Sequence, residues 1–503
     1  MLFNSIQYLI FLPLVVAAYW AVPRQFRAIL LLVASYYFYM SWMAVYGLLL
    51  AGLTVWNFLA GILIANPKFQ QKRLAMVGAI TGNLACLALY KYTNFIIESA
   101  VNSFNSVTHL MHVSANGAAQ ATAIQINAQN ALLPIILPLG ISFFVFEFIH
   151  YLADVYKGSS AIKNPVRFAL FAAFFPSQIA GPIKRFQDFD EQVLQEKHFD
   201  SGQFSRGVVL IVEGMFKKVV LGDNLAQLVQ PGFQAAASMG TLDAWICVLA
   251  FTLQIYYDFS GYTDIGRGSA MLLGYELPPN FNMPYIARSL SEFWHRWHMS
   301  LSTWLRDYLY IPMGGSKAGR AKQARNLVLT MLLGGLWHGA SWHYVLWGAF
   351  HGVGLVLTHT WDRIISQVPQ VAPMRKTAMW AFAARFTTLL LVILGWVVFR
   401  ADNLEQAGAV YKSMFSLHAT TASADGITNL FQHSTVPVAL MLYAAYHAAN
   451  KLAERLKKSH EPSRQLIWLN PPVAARAVAL IGASLLIVGF APHKAVPFIY
   501  FQF

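Results

Sequence analysis

NLVLTMLLGGLWHGASWHYVLWGAFHGVGLVLT, residues 326–358, runs without a single Asp, Glu, Lys or Arg. Crossing a bilayer as a helix takes roughly 20 mostly apolar residues, so this stretch reads as membrane material. Further apolar stretches cover about 5–22, 28–42, 44–65, 74–96, 132–153, 168–183, 207–229, 242–262, 377–399, 435–450 and 473–490. They run from one end of the chain to the other and leave no room for a separate soluble domain. Of the 503 residues, 57% are hydrophobic and 12% charged. Soluble proteins carry about 25% charged residues, and one this apolar would expose aggregating patches. The expected architecture is all-α and polytopic, with roughly 11 spans of about 20 residues each.

Basic residues sort by position. Arg24 and Arg27 follow the first span, Lys68, Lys72 and Arg73 the third, and Lys157, Lys163 and Arg167 the fifth. The turn after the second span has no basic residue, and loop 101–131 has neither Lys nor Arg. Cytoplasmic loops are enriched in Lys and Arg, so the N-terminus is expected outside, and an odd number of spans puts the C-terminus there too. The net charge of +14 reflects those loops and does not call for nucleic acid. The first apolar run lacks a basic n-region and a clear small-residue cleavage site, which predicts a retained span. The segment 168–183 carries Pro176, Gly181 and Pro182 and reads as re-entrant. Cys86 and Cys247, both in apolar stretches, offer no disulfide framework and no zinc pattern.

Ionisable residues inside membrane segments are costly and mark interior cavities. Glu147, His150 and Asp154 are spaced to share one helical face. Lys217, Lys218, Asp258 and Asp264 interrupt other apolar stretches. The densest cluster is RSLSEFWHRWHMSLSTWLRDYLYIP, 288–312, where Glu292, His295, Arg296, His298, Arg306 and Asp307 alternate with aromatic rings. That mixture suits an interfacial or re-entrant helix. A lone buried histidine is usually a hydrogen-bonded core residue. His338 differs in its setting, because Gly334, Gly335 and Gly339 surround Trp337-His338. Glycine weakens a helix by roughly 1 kcal/mol relative to alanine but permits close approach of backbone or substrate. The spacing therefore predicts a narrow passage reaching the ring. Metal binding by His295/His298 or His338/His343 lacks a clear third ligand, and HExxH is absent. Neither a GxxxxGK[ST] loop nor a GxSxG elbow occurs. A histidine general base is what remains.

FWHRWHMSLSTWLRDYLYIPMGG (293–315) and LGGLWHGASWHYVLWGAFHG (333–352) resemble the two signatures of the membrane-bound O-acyltransferases, closest to the bacterial alginate O-acetylase branch. LPLGISFFVFE (137–147), FFPSQIAGPIKRF (174–186), YYDFSGYTDIG (256–266), GYELPPNFNMPY (274–285) and PFIYFQF (497–503) extend the resemblance along the chain. It implies one membrane domain over 1–503, with a motif core at about 132–360, peripheral helices at 1–96 and 377–490, and an extracytoplasmic loop at 97–131. It further implies a ring of helices around a thin centre, with a cytoplasmic funnel for the donor and an outer opening for the acceptor. The histidine of the LWHG motif, here His338, is then the catalytic residue, and the histidine of the RWH motif, here His298, the second functional position. Position 295 is His where this family more often has Arg or another polar residue.

The same resemblance implies an O-acetyltransferase of a secreted exopolysaccharide in the bacterial inner membrane. Acetyl-CoA is its donor substrate, and no cofactor is bound. A periplasmic SGNH-hydrolase-like acetyltransferase and other exopolysaccharide-modification proteins are the expected partners. Guanidinium groups bind phosphate, so Arg296 and Arg306 are candidates for the donor phosphates. Glu292 and Asp307 are candidates to orient a histidine or pair with those arginines, and Trp337 and His295 complete the set. A D-alanyl or other acyl transfer is the enzyme alternative. A transporter also has buried charges, but it more often has similar broken-helix halves, which this sequence lacks.

Overall fold

In the computed structural model, the described residues are 1–116, 132–179, 181–317, 319–417, 473–491 and 497–499, with isolated positions at 127, 437 and 441. All regular structure among them is helical. The first helices are α1 (Ile6–Ala21), α2 (Arg24–Met40), α3 (Val45–Ala65), α4 (Lys72–Lys91) and α5 (Thr93–Asn116). Two of them start at side-chain or proline punctuation: Ser5 accepts from the Tyr8 amide ahead of α1, and Pro23 precedes α2. The expected loop over 97–131 is in part helix, since α5 runs to Asn116. Val101, Phe104 and Val107 recur at helical spacing there, and no Gly or Pro intervenes before Gly117. The remainder of that loop and the expected span at 435–450 lie outside the described residues, apart from the isolated positions named.

The fifth expected span also changes. Helix α6 (Ile141–Tyr156) begins nine residues later than the apolar run does. Pro134 and Pro138 bias the preceding residues toward extended backbone, and Gly140 takes a left-handed turn (φ 71°) immediately before the helix. Nearly every residue of α6 is buried, including Glu147, His150 and Asp154. It packs against α3 and α4, which makes it a central rather than a lipid-facing helix. The segment read as re-entrant is two short buried helices, α7 (Pro165–Ala173) and α8 (Phe175–Gln178), broken at Phe174. A short helix α9 (Phe186–Leu194) follows.

A second body of helices carries the rest. α10 (Ser201–Met215) continues through a π-helical turn (Phe216–Gly222) into α11 (Asp223–Gln234). α12 (Thr241–Leu272) is 32 residues long and packs against all three of these segments. A Cβ on Gly261 would lie 2.6 Å from the Gly214 carbonyl oxygen, so α10 and α12 meet backbone to backbone, as small residues allow in membranes. Their charges pair inside: Lys218 lies 2.5 Å from Asp223 and 2.9 Å from Asp258, and Lys217 lies 2.7 Å from Asp264.

The 288–312 cluster is broken rather than one interfacial helix. It forms α13 (Leu290–Trp294), α14 (Met299–Leu305) and a π-helical turn (Arg306–Tyr310). Trp294, Trp297 and Trp304 are buried packing residues. The opening stretch 326–358 is also broken. α15 (Arg320–His338) ends at the histidine, and α16 (Trp342–Ser366) starts four residues later and packs along it. α18 (Ala378–Arg400), after a short α17 (Val371–Met374), and α19 (Leu404–Phe415) close this side, and α20 (Val473–Phe490) packs near the π-helical turn after α10. Among the described residues four helices, α3, α4, α12 and α18, are long and apolar enough to cross a membrane by length and composition, and α1 is a shorter apolar helix.

Candidate functional site

His338 is the last residue of α15, and His298 is the last of the four residues that join α13 to α14, immediately before α14. Both are buried, at 4% and 0% exposure. His298 has a left-handed backbone (φ 42°, ψ 54°), uncommon for a non-glycine residue. Such strain persists only where surrounding contacts over-determine it, and it concentrates at functional sites. Asn280 supplies the contacts. Its carbonyl accepts from the Met299 amide at 2.9 Å, and its Oδ1 accepts from the Ser300 hydroxyl at 2.6 Å. The chain is therefore pinned just past the histidine.

The two imidazoles meet at one ring. Trp337 has its centroid 5.0 Å from His338 (76°) and 6.0 Å from His298 (66°). Phe259 stands 4.7 Å from His298, edge-on. Trp347 and Phe399 enclose His338 at 5.1 and 5.2 Å. Trp337 is also backed by Phe146 at 5.4 Å, which stacks on Trp304 at 3.8 Å and 4°. The Trp304 indole N–H donates to the Phe146 carbonyl at 3.0 Å and locks that stack. Sequence periodicity pointed to neither Phe146 nor Phe259 as neighbours of a histidine.

Two cavities lie at opposite ends of α15. The larger, about 530 Å³, is lined by Trp294, His295, Met299, Leu305 and Arg306 together with Gln323, Leu327, Thr330 and Met331 from the first part of α15. The smaller, about 110 Å³, is lined by Trp337 and His338 at the end of α15 and by Lys91, Leu139, Ile141, Ser142 and Phe143. The cavity beside His338 thus lies against the end of α4 and the start of α6. The glycines expected to form a passage to the ring have another job. A Cβ on Gly335 would sit 2.2 Å from the Tyr344 carbonyl oxygen, and one on Gly339 would sit 2.0 Å from the Tyr344 ring. These glycines let α16 close onto α15, because helix packing at this distance tolerates no side chain.

The remaining sequence candidates separate. His295 and Arg306 line the larger cavity. His295 Nδ1 lies 2.6 Å from the Ser291 carbonyl; a carbonyl only accepts, so that nitrogen carries the proton. Arg296 pairs with Glu292 at 2.8 Å and donates to the Asn282 carbonyl. Glu292 also accepts from the Arg288 amide at 2.8 Å. Partial burial raises the Glu292 carboxyl, but the Arg288 amide and the Arg296 guanidinium outweigh it and hold it below its ordinary range. Asp307 is likewise raised by partial burial and lowered further by Arg306 and Arg185, with a net lowering. Both carboxylates are paired to arginines, Glu292 to Arg296 and Asp307 to Arg185 and Arg306.

Lys91 lies outside every motif of the sequence, and the partners of Lys184 and Arg185 follow from tertiary packing alone. Lys91 ends α4 and donates to the carbonyls of Trp337 (2.5 Å) and His338 (3.2 Å). Lys184 forms a buried pair with Glu147 at 2.8 Å. Arg185 reaches Asp307, Tyr308 and Asp154. Glu147, His150 and Asp154 do share a face, which packs on segment 183–187: the Phe186 amide donates to His150 Nε2 at 3.3 Å, and the Gln187 amide group donates to Asp154 at 2.9 Å. Among the described residues no group of three or more His, Cys, Asp or Glu is arranged to hold a metal ion.

Comparison with known proteins gives a consistent picture. Residues 141–394 match the model of the MBOAT, membrane-bound O-acyltransferase family. The chain is 37% identical over 529 residues to the probable alginate O-acetylase AlgI of Azotobacter vinelandii, covering all of both chains. It is 33% identical to the peptidoglycan O-acetyltransferase of Helicobacter pylori, over 79% of this chain and 75% of that one. It is 31% identical to the teichoic acid D-alanyltransferase of Streptococcus thermophilus, over 45% of this chain and 57% of that one.

Proposed function

The chain belongs to the membrane-bound O-acyltransferase family and is a multi-pass membrane O-acyltransferase; from that premise we propose that it takes acetyl from acetyl-CoA at the cytoplasmic face and delivers it across the inner membrane for O-acetylation of a secreted exopolysaccharide of alginate or cellulose type. The observation that carries this reading is the pair of imidazoles on Trp337, set between cavities at opposite ends of α15. The larger cavity faces the basic segment at Lys317–Arg325 and takes the donor. The smaller takes the acceptor, either the polymer itself or a periplasmic SGNH-hydrolase-like acetyltransferase that passes the acetyl on with other modification proteins. Roughly 11 spans, with both termini periplasmic, complete this topology.

A thioester is already activated, so the protein has to deprotonate a hydroxyl and stabilise an oxyanion. His338 withdraws the hydroxyl proton as the acceptor oxygen attacks the thioester carbonyl. The new C–O bond forms, and negative charge develops on the carbonyl oxygen. His298 or a backbone N–H holds that charge. Gly335 lies inside α15, where its N–H belongs to the helical ladder, so Gly339 is the better backbone donor. Collapse breaks the C–S bond, and the CoA thiolate leaves with the proton returned from His338. Arg306 and His295 in the larger cavity, and Arg296 beside it, meet the CoA phosphates.

D-alanyl transfer is the second reading, favoured by the similarity to a teichoic acid D-alanyltransferase. That match covers 45% of the chain, whereas the alginate O-acetylase match covers all of it, so acetyl transfer ranks first. Purified protein in lipid nanodiscs, given acetyl-CoA and a mannuronate or cellulose oligosaccharide, is expected to release free thiol and acetylated sugar together. Transfer only from a D-alanyl carrier would install the second reading, and movement of sugar without thioester consumption would replace the enzyme by a transporter.

A further inference from the structure

Two motifs, YYDFSGYTDIG (256–266) and PFIYFQF (497–503), lie more than 200 residues apart and have no part in the reaction described above. Among the described residues, Asp258, Phe259 and Tyr262 of the first meet Phe498 and Ile499 of the second near His298. The Ile499 amide donates to the Asp258 carboxylate at 2.8 Å, and the same carboxylate lies 2.9 Å from the Lys218 ammonium. A backbone N–H at membrane depth has to be satisfied inside the protein, so this bond fixes the register of the segment. That register puts the Phe498 ring on Tyr262, stacked at 4.4 Å and 18°, and 5.7 Å from Phe259. Phe3 stacks on the same tyrosine at 4.4 Å and 19°. Two rings cannot share one face at that distance, so Tyr262 is sandwiched between residues from distant ends of the sequence. Phe259 in turn stands edge-on to His298 at 4.7 Å.

We infer that Phe498 is a positioning residue of the acyl transfer: held in register by the Ile499 amide on Asp258, its ring presses Phe259 into place and so sets the orientation of the His298 ring. The inference rests on the reading of His298 as part of the reacting centre. It explains why the contact is built so firmly. His298 belongs to no helix and has a left-handed backbone, so its ring is aimed by its neighbours, among them Phe259 and Trp337. An aromatic ring seated from behind keeps Phe259 from backing away. Misplacing a reacting group by about 1 Å costs on the order of 100-fold in rate, and a slack Phe259 permits a shift of that order.

The test compares full-length Phe498→Ala, Phe259→Leu and the double variant in nanodiscs by acetyl-CoA turnover. Phe498→Ala is expected to lower kcat about 10-fold or more, leaving the KM for acetyl-CoA within about twofold because the donor cavity is untouched. The double variant is expected to be no slower than Phe259→Leu, since Phe498 acts through that ring. Multiplying losses, or a rise in KM with kcat unchanged, would overturn the inference. Should Phe498→Ala not accumulate, Phe498→Leu fills the volume without the stack and is read by the same two criteria. An inactive wild-type protein would refute the acetyl-CoA reading itself, whereas an active wild type with an equally active Phe498 variant refutes only the positioning role.

Discussion

The ammonium of Lys91 donates to the carbonyl oxygen of His338 at 3.2 Å and to that of Trp337 at 2.5 Å. These are the last carbonyls of α15, which have no partner within the helix. A cation at a helix C-terminus also opposes the partial negative charge there. One lysine therefore ties the end of α4 to the residue that carries the proposed base. Lys91→Met keeps the aliphatic stem and removes the bonds. It is expected to cost about 1.5–3 kcal/mol of stability and to lower kcat at unchanged donor KM. Unfolding in detergent and acetyl-CoA kinetics measure the two effects.

Gly334 and Gly335 are adjacent but should respond differently to alanine. A Cβ at Gly335 would lie 2.2 Å from the Tyr344 carbonyl oxygen and 3.1 Å from the Gly348 Cα, both backbone atoms. A Cβ at Gly334 would meet the Leu305 Cδ1 at 3.3 Å, the end of a side chain. Gly335→Ala is expected to lose about 1–3 kcal/mol by overpacking and to lose activity as α15 and α16 separate. Gly334→Ala gains helix propensity of about 1 kcal/mol and should unfold at nearly the wild-type temperature or above. Thermal unfolding of the pair decides between them.

The helices were largely legible from apolar length, and the histidines stood out because membrane segments rarely hold them. The functions of their neighbours were not legible, for physical reasons. Periodicity placed Glu147, His150 and Asp154 on one face, but not what faces them; Lys184 and Arg185 come from a loop about 30–40 residues on. Glycines beside His338 signal close approach without saying to what, and here the partner is Tyr344 on α16, not substrate. α6 starts later than its apolar run because Pro134 and Pro138 sit in a stretch that satisfies a span by composition and breaks it by geometry. Lys91 and Phe259 reach the site through tertiary packing alone.

Lys184 and Glu147 are both buried and paired at 2.8 Å. Removing one partner leaves the other charge buried and unmatched, at a cost of about 3–5 kcal/mol, whereas a well-packed apolar pair of similar volume is often neutral. Lys184→Met and Glu147→Leu are each expected to destabilise strongly, and the double variant to recover most of the loss. Additive losses in detergent unfolding would contradict a pair whose role is mutual neutralisation.

Asp307 supplies a pH signature. Arg306 and Arg185 hold its carboxyl below the ordinary carboxylate range, against the opposing effect of partial burial. A depressed folded pKa contributes stability above the unfolded pKa of about 3.9 and loses it as pH falls through the folded value. The contribution of this network is therefore expected to be constant from pH 7 to 5 and to decline only below about pH 4. Asp307→Asn should lower the unfolding temperature at neutral pH and shrink the acid-induced fall. An Asp307-dependent loss centred near pH 6 would contradict the assignment.

The two histidines are expected to separate in kinetics. His338, enclosed by Trp337, Trp347 and Phe399 beside the smaller cavity, is the proposed base, so His338→Ala should abolish acetyl transfer while the protein still accumulates in the membrane. If His298 is the group that meets the developing charge, as proposed, its loss costs about 100- to 1000-fold in kcat. His298→Ala should therefore retain slow transfer, with the donor KM little changed because a group that meets charge developing in the transition state adds little to binding of the donor itself. Asn at position 298 keeps a donor but shortens its reach, so His298→Asn is expected to fall between wild type and alanine. Wild-type-like acetylation by His338→Ala would remove the base assignment, and equal rates for His298→Ala and wild type would confine that residue to packing.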